Sequence, residues 1–184
     1  MKNIKLFFIV ALFVSFGWSS SFIYIEKGIK LPLSNEGVVV YSGTPVKIIS
    51  KDKNRVKVRI AGYIGKKDKK SLYATKNRKL LFATVKKSAL IHKIDKDRGE
   101  LKILLPAKNI TNDQDEAWES GSDLFYDKCT KCHHAKIVKN HTMAEWNVLF
   151  NSMKYKAKTN KIQSAEILRF LRAFSKDGIL RESD

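Results

Sequence analysis

Cys129-Thr130-Lys131-Cys132-His133 constrains this 184-residue chain more than any other segment. The sequence holds only two cysteines, and one of its four histidines directly follows the second. C-x-x-C-H is the attachment signature of a c-type haem. The two thiols become thioethers to the haem vinyl groups, and the histidine meets the iron from the proximal side. Three other readings compete. A thioredoxin-like redox pair would sit in a βαβ unit and would not need the histidine. A disulfide closing so short a loop is strained. A zinc site would need a second Cys or His pair at ligand spacing. The motif therefore implies one covalent haem c on Cys129 and Cys132, with His133 as proximal ligand.

The N-terminus agrees with an exported haem protein. Lys2 and Lys5 precede an apolar run from Leu6 to Phe16, and Gly17, Ser19, Ser20 and Ser21 follow. That is the order of a secretory signal, expected over residues 1–21. The competing reading is an uncleaved anchor from Leu6 to Ile25, about 20 mostly apolar residues, near the least that spans a bilayer. Either places the body of the protein in the periplasm.

The net charge of +18 is unevenly spread. Residues 22–112 carry 22 Lys and Arg against 7 Asp and Glu, whereas residues 113–184 carry 12 against 11. The split suggests two modules with different surfaces. A basic field steers an acidic partner or an anionic membrane surface. The plain alternative is that lysines keep a small β region soluble and guard its strand edges. An exported haem protein is not expected to meet nucleic acid.

Residues 22–35 read as a linker, and residues 36–112 as a β domain. Val38–Tyr41, Val46–Ser50, Val56–Ile60, Leu72–Thr75, Leu80–Val85, Ala89–Ile94 and Leu101–Leu105 are the expected strands. Lys51-Asp52-Lys53-Asn54 and Lys96-Asp97-Arg98-Gly99 are hairpin turns. Short strands at such spacing suggest a small antiparallel barrel. Thr44-Pro45-Val46-Lys47-Ile48-Ile49, a charged turn and Val56-Lys57-Val58-Arg59-Ile60-Ala61-Gly62 resemble the bacterial SH3-like family. That resemblance implies a docking or ligand-binding module rather than a catalyst.

Residues 113–184 read as three helices forming a haem domain. The first runs from about Asp113 to the haem motif, with Ala117, Trp118, Gly121, Leu124, Phe125 and Cys129 on one face. Asp113, Asp115 and Glu116 fill its first turn, where the helix dipole favours them. The second opens at Thr142-Met143-Ala144-Glu145, a capping box. Its apolar stripe is Trp146, Leu149, Phe150 and Met153. The third takes Ser164 as N-cap, carries Ile167, Leu168, Leu171 and Phe174, and stops near Gly178.

The glycine and aromatic of Gly121 to Cys129, running into C-x-x-C-H, resemble the opening of class I cytochromes c. The expected architecture is thus two-domain: a small SH3-like antiparallel β-barrel, then an all-α cytochrome c-like haem domain. The spacing from His133 to Trp146 and Met153 resembles the single-haem C-terminal domain of cytochromes that serve trimethylamine N-oxide reductases. That likeness covers about residues 115–175. It implies an accessory cytochrome of periplasmic S- and N-oxide molybdoenzymes, at work in anaerobic respiration. The chain lacks the four-haem quinol-oxidising portion of the long relatives, which implies a separate donor: an upstream cytochrome or a quinol-oxidising protein.

Met153 is the expected distal ligand, where a thioether raises the reduction potential. An ordinary core methionine is its plain alternative. Met143 and His141 are the other candidates. His134 sits too close to the proximal ligand to reach the distal face, and His92 falls in a strand. Trp118 and Trp146 read as core packing. No nucleophile constellation is evident, so the expected function is electron transfer rather than catalysis. A haem-based ligand sensor and a docking or anchoring protein acting through the basic β region are the alternatives.

Overall fold

The computed structural model describes residues 23–26, 29–31 and 37–180. The expected signal segment, residues 1–21, lies outside them. Ten strands are described: β1 Ile23–Ile25, β2 Ile29–Leu31, β3 Val38–Val40, β4 Pro45–Lys51, β5 Arg55–Ile64, β6 Ser71–Tyr73, β7 Leu81–Val85, β8 Ile91–Lys93, β9 Arg98–Pro106 and β10 Ile110–Thr111. They join in one antiparallel sheet that curls into a half-barrel. Three helices follow: α1 Gln114–Cys129, α2 Met143–Met153 and α3 Lys161–Phe174.

Period-two alternation builds the sheet. Along β5, Val56, Val58 and Ile60 point inward while Arg55, Lys57 and Arg59 point away. β9 repeats this with Leu101, Ile103 and Leu105 inside. The two strands pair without a break from Arg55 opposite Pro106 to Tyr63 opposite Arg98. On its other edge β5 pairs first with β4 and then with β6. That change of partner turns the sheet around its core. The stretch expected as a linker contains β1 and β2, which pair with β4 and β10 and with β3.

The expected two-domain architecture is corrected. The chain is mostly β, and its three helices are not an all-α, cytochrome c-like domain. One continuous apolar core runs from Ile25, Val40 and Leu72 in the sheet to Trp118, Ile167 and Phe174 in the helices. The reason is size: about 70 residues bury too little surface to hold a helical domain alone. The helices take the missing contacts from the sheet. Trp118 of α1 packs edge-on against Phe174 of α3, with centroids 5.7 Å apart. Its indole also covers Gly43, which has φ +66° and where a Cβ would come within 2.1 Å of the ring.

Arg169 of α3 fastens the helices to the sheet. Its Nε donates to the Ser42 carbonyl at 2.8 Å, Nη2 donates to Thr44 Oγ1 at 3.2 Å, and Nη1 donates to the Leu81 carbonyl. The guanidinium lies 5.3 Å from the rings of both Tyr41 and Trp118, within cation–π range. Burial pulls its pKa down to about 9, so it stays a cation at neutral pH. One turn later Arg172 donates to the Lys79 carbonyl at 2.8 Å. Between α1 and α3, Gly121 permits close approach: a Cβ there would lie 2.8 Å from Phe170 Cβ and 3.1 Å from the Glu166 carbonyl.

Candidate functional site

Helices and loops, with no strand residue among the lining, enclose an apolar cleft. Capping fixes the elements that line it. Asp113 caps α1 by accepting from the backbone N–H groups of Asp115 and Glu116. Thr142 and Glu145 form a reciprocal capping box on α2. Asn160 and Gln163 form another on α3, one turn before the expected cap Ser164. Ser164 Oγ instead meets Thr159 Oγ1 at 2.8 Å. Because α1 ends at Cys129, its last turn presents the first thiol, and the turn beyond it carries Cys132 and His133.

Phe125, Cys129, Cys132, His133, Trp146, Leu149, Phe150, Met153 and Leu171 line the cleft, with Lys128, Lys136, Lys156 and Ala157 completing it. The space between these walls is about 960 Å³, part of it open to solvent. Aromatic packing shapes the floor. Phe125 meets Trp146 edge-on at 5.9 Å and Phe170 at 5.9 Å. Trp146 is oriented by its Nε1–H, which donates to the Val138 carbonyl at 2.9 Å.

Cys129 is half-buried and Cys132 exposed, and both are free thiols. Burial pushes the Cys129 thiol pKa up, so that sulfur is held neutral. His133 Nδ1 lies 2.8 Å from the His134 carbonyl oxygen. A carbonyl only accepts, so Nδ1 carries a proton, and in the neutral ring Nε2 is the nitrogen with the lone pair. Such an Nδ1–H to carbonyl bond is the usual means of fixing a ligating imidazole.

The structure brings four of the expected site residues to one cleft: Cys129, Cys132, His133 and Met153. Met153 is the last residue of α2 and 40% exposed. The other candidates stand elsewhere. Met143 is fully buried under the loop before β7, with its sulfur 3.8 Å from Asn77 Nδ2. The His141 ring packs edge-on against Trp146 at 5.1 Å and is not part of the cleft wall. His134 offers its carbonyl to His133. His92 is exposed on β8 opposite Glu100. Lys136, Lys156 and Ala157 were not expected at the site; they lie in loops, where no periodicity marks a side chain's direction.

Among the described residues no three His, Cys, Asp or Glu side chains converge as a metal-binding group. None of the described helices is long and apolar enough to cross a membrane. Set against known proteins, the chain matches no family model, no curated protein and no solved structure.

Proposed function

We propose that this protein is an exported electron carrier with one haem c attached through Cys129 and Cys132. The observation that carries the reading is the cleft. Its wall holds both thiols, an imidazole with Nε2 free to ligate and a thioether, and the rest is mainly aromatic and aliphatic. Those side chains suit a flat apolar macrocycle with an iron at its centre. Cys129 and Cys132 would hold the group covalently, His133 would be the proximal ligand and Met153 the distal one. Covalent haem supplies one-electron chemistry by changing the iron oxidation state. The chain's own residues do the rest. Phe125, Trp146, Phe150 and Leu171 would shield the bound group from water, and the His134 carbonyl would hold the imidazole by its Nδ1–H.

The acceptor we propose is an exported molybdoenzyme that reduces S- or N-oxides, with a separate upstream cytochrome or quinol-oxidising protein as donor. The likeness of the His133, Trp146 and Met153 spacing supports this. A second reading, a haem-based ligand sensor, draws on the exposure of Met153, because a distal ligand at a helix end is easily displaced.

The test is expression in a host competent for haem maturation. The expected result is a red chromophore that survives acid–acetone extraction and is lost in Cys129→Ala/Cys132→Ala. Colourless wild-type protein defeats the reading. Met153→Ala should abolish the weak long-wavelength band of methionine-ligated ferric haem. Carbon monoxide binding by the unmodified ferrous protein as ready as by Met153→Ala favours the sensor.

A further inference from the structure

A second cleft, at the C-terminal end of β5, is independent of the haem reading. Lys66, Lys69, Arg78, Lys93 and Lys96 line it, and Asp97 is the one carboxylate among them. Ile64, Ala89 and Ile91 give it an apolar wall, and the space between its walls is about 1090 Å³, part of it open to solvent. Four of the five cations are exposed lysines at the rim; Arg78 is not.

Arg78 is held in place from several directions. Its backbone has φ +56°, a left-handed conformation that a long side chain rarely adopts. The turn around it is tied by Thr75 Oγ1 donating to Asn77 Oδ1 and by Lys79 N–H donating to the same oxygen at 3.1 Å. Its Nε donates to the Ile64 carbonyl at 2.7 Å and Nη1 to the Lys76 carbonyl at 2.8 Å. Asp97 stands 3.8 Å from Nη2, an ion pair beyond hydrogen-bond reach. Two of five guanidinium N–H groups are thus used on carbonyls. Gly65 shapes the adjoining rim: a Cβ there would lie 2.1 Å from the Asp68 carbonyl, so only glycine lets the 65–70 loop fold this tightly.

A guanidinium held by two carbonyls beside four exposed lysines, with one carboxylate against five cations in the lining, is chemistry for a multiply charged anion. Backbone strain kept at such a point fits a binding role. We infer that this cleft binds a phosphoryl-bearing anion carrying at least two negative charges, with Arg78 as its anchor and Lys69 and Lys93 as flanking contacts. The phosphoryl group belongs either to a free small molecule or to an anionic lipid headgroup.

Calorimetric titration of the full chain with inorganic pyrophosphate at low salt tests this. Saturable one-to-one binding is expected, weakened by about tenfold or more in Arg78→Gln, the loss of a charge-assisted pair. Lys69→Glu/Lys93→Glu changes exposed positions and should weaken binding without disturbing the near-ultraviolet circular dichroism. Lys53→Glu, in the turn between β4 and β5, should leave it unchanged. Sedimentation with phosphatidylglycerol vesicles separates the two sources. Vesicle binding that pyrophosphate and the cleft variants abolish assigns a headgroup, and pyrophosphate binding without vesicle binding assigns a soluble anion. Absence of saturable pyrophosphate binding, or equal weakening by Lys53→Glu, overturns the inference.

Discussion

The three helices have two unlike regions. Toward the sheet, Trp118, Arg169 and Phe174 pack closely, and Gly43 has no room for a methyl. Elsewhere, Phe125, Trp146, Phe150 and Leu171 border a cleft that the chain's own side chains leave open. Protein interiors are close-packed, and an apolar void forfeits dispersion contacts along its lining. The region packed on the sheet carries stability, and the open cleft is where the proposed haem would sit. The two free thiols and His133 stand at the open cleft.

Breaking the contact between helices and sheet should have the largest effect. Arg169→Leu strands the Ser42 and Leu81 carbonyls and removes two ring contacts. We expect a loss of about 3 kcal/mol or more in denaturant unfolding. A loss below about 1 kcal/mol would show that the helices do not depend on this fastening. Gly121→Ala comes next. Its methyl meets Phe170 Cβ and the Glu166 carbonyl, neither of which can swing aside, so a cost of about 1–3 kcal/mol is expected from overpacking. Unchanged stability would mean that α1 and α3 are free to separate.

At the open cleft, Trp146→Phe keeps the ring packing but leaves the Val138 carbonyl without its indole donor. A cost of about 1–2 kcal/mol follows, read from the urea midpoint. The same change should also alter the environment of any chromophore in the cleft, which Arg169→Leu should not do while the protein stays folded.

The smallest effect is a pH dependence at α2. Backbone and side-chain hydrogen bonds from Thr142 hold the Glu145 carboxyl below its ordinary value of 4.5. A depressed acid binds fewer protons folded than unfolded, so its contribution is present above the ordinary carboxylate range and is lost as pH falls through the folded value. Glu145→Gln should therefore melt slightly lower than wild type at neutral pH and converge with it in acid. Parallel melting curves at every pH would remove Glu145 from the account.

Several elements were legible because their signals are local. Asp113 and the acidic turn after it mark the start of α1, and the Thr142 box marks α2. Alternation in Val56–Ile60 and Leu101–Leu105 announces β5 and β9. Ser164 misled because Asn160, an equally good cap, stands one turn earlier with Gln163 to complete its box. β1 and β10 are too short to carry a period, and each is a strand only because a distant partner pairs with it. Arg169 carries no local signal, since its acceptors lie more than 80 residues earlier in the chain.

By itself the sequence settled the chemistry-bearing motif, the alternating strands and the capped helices, because each depends on neighbours within a few positions. Only the tertiary structure decided that helices and sheet share one core, and that Met153 rather than Met143 or His141 borders the cleft with Cys129, Cys132 and His133. Those outcomes rest on close packing between segments far apart in the chain, where fit in space and not local periodicity selects the contact.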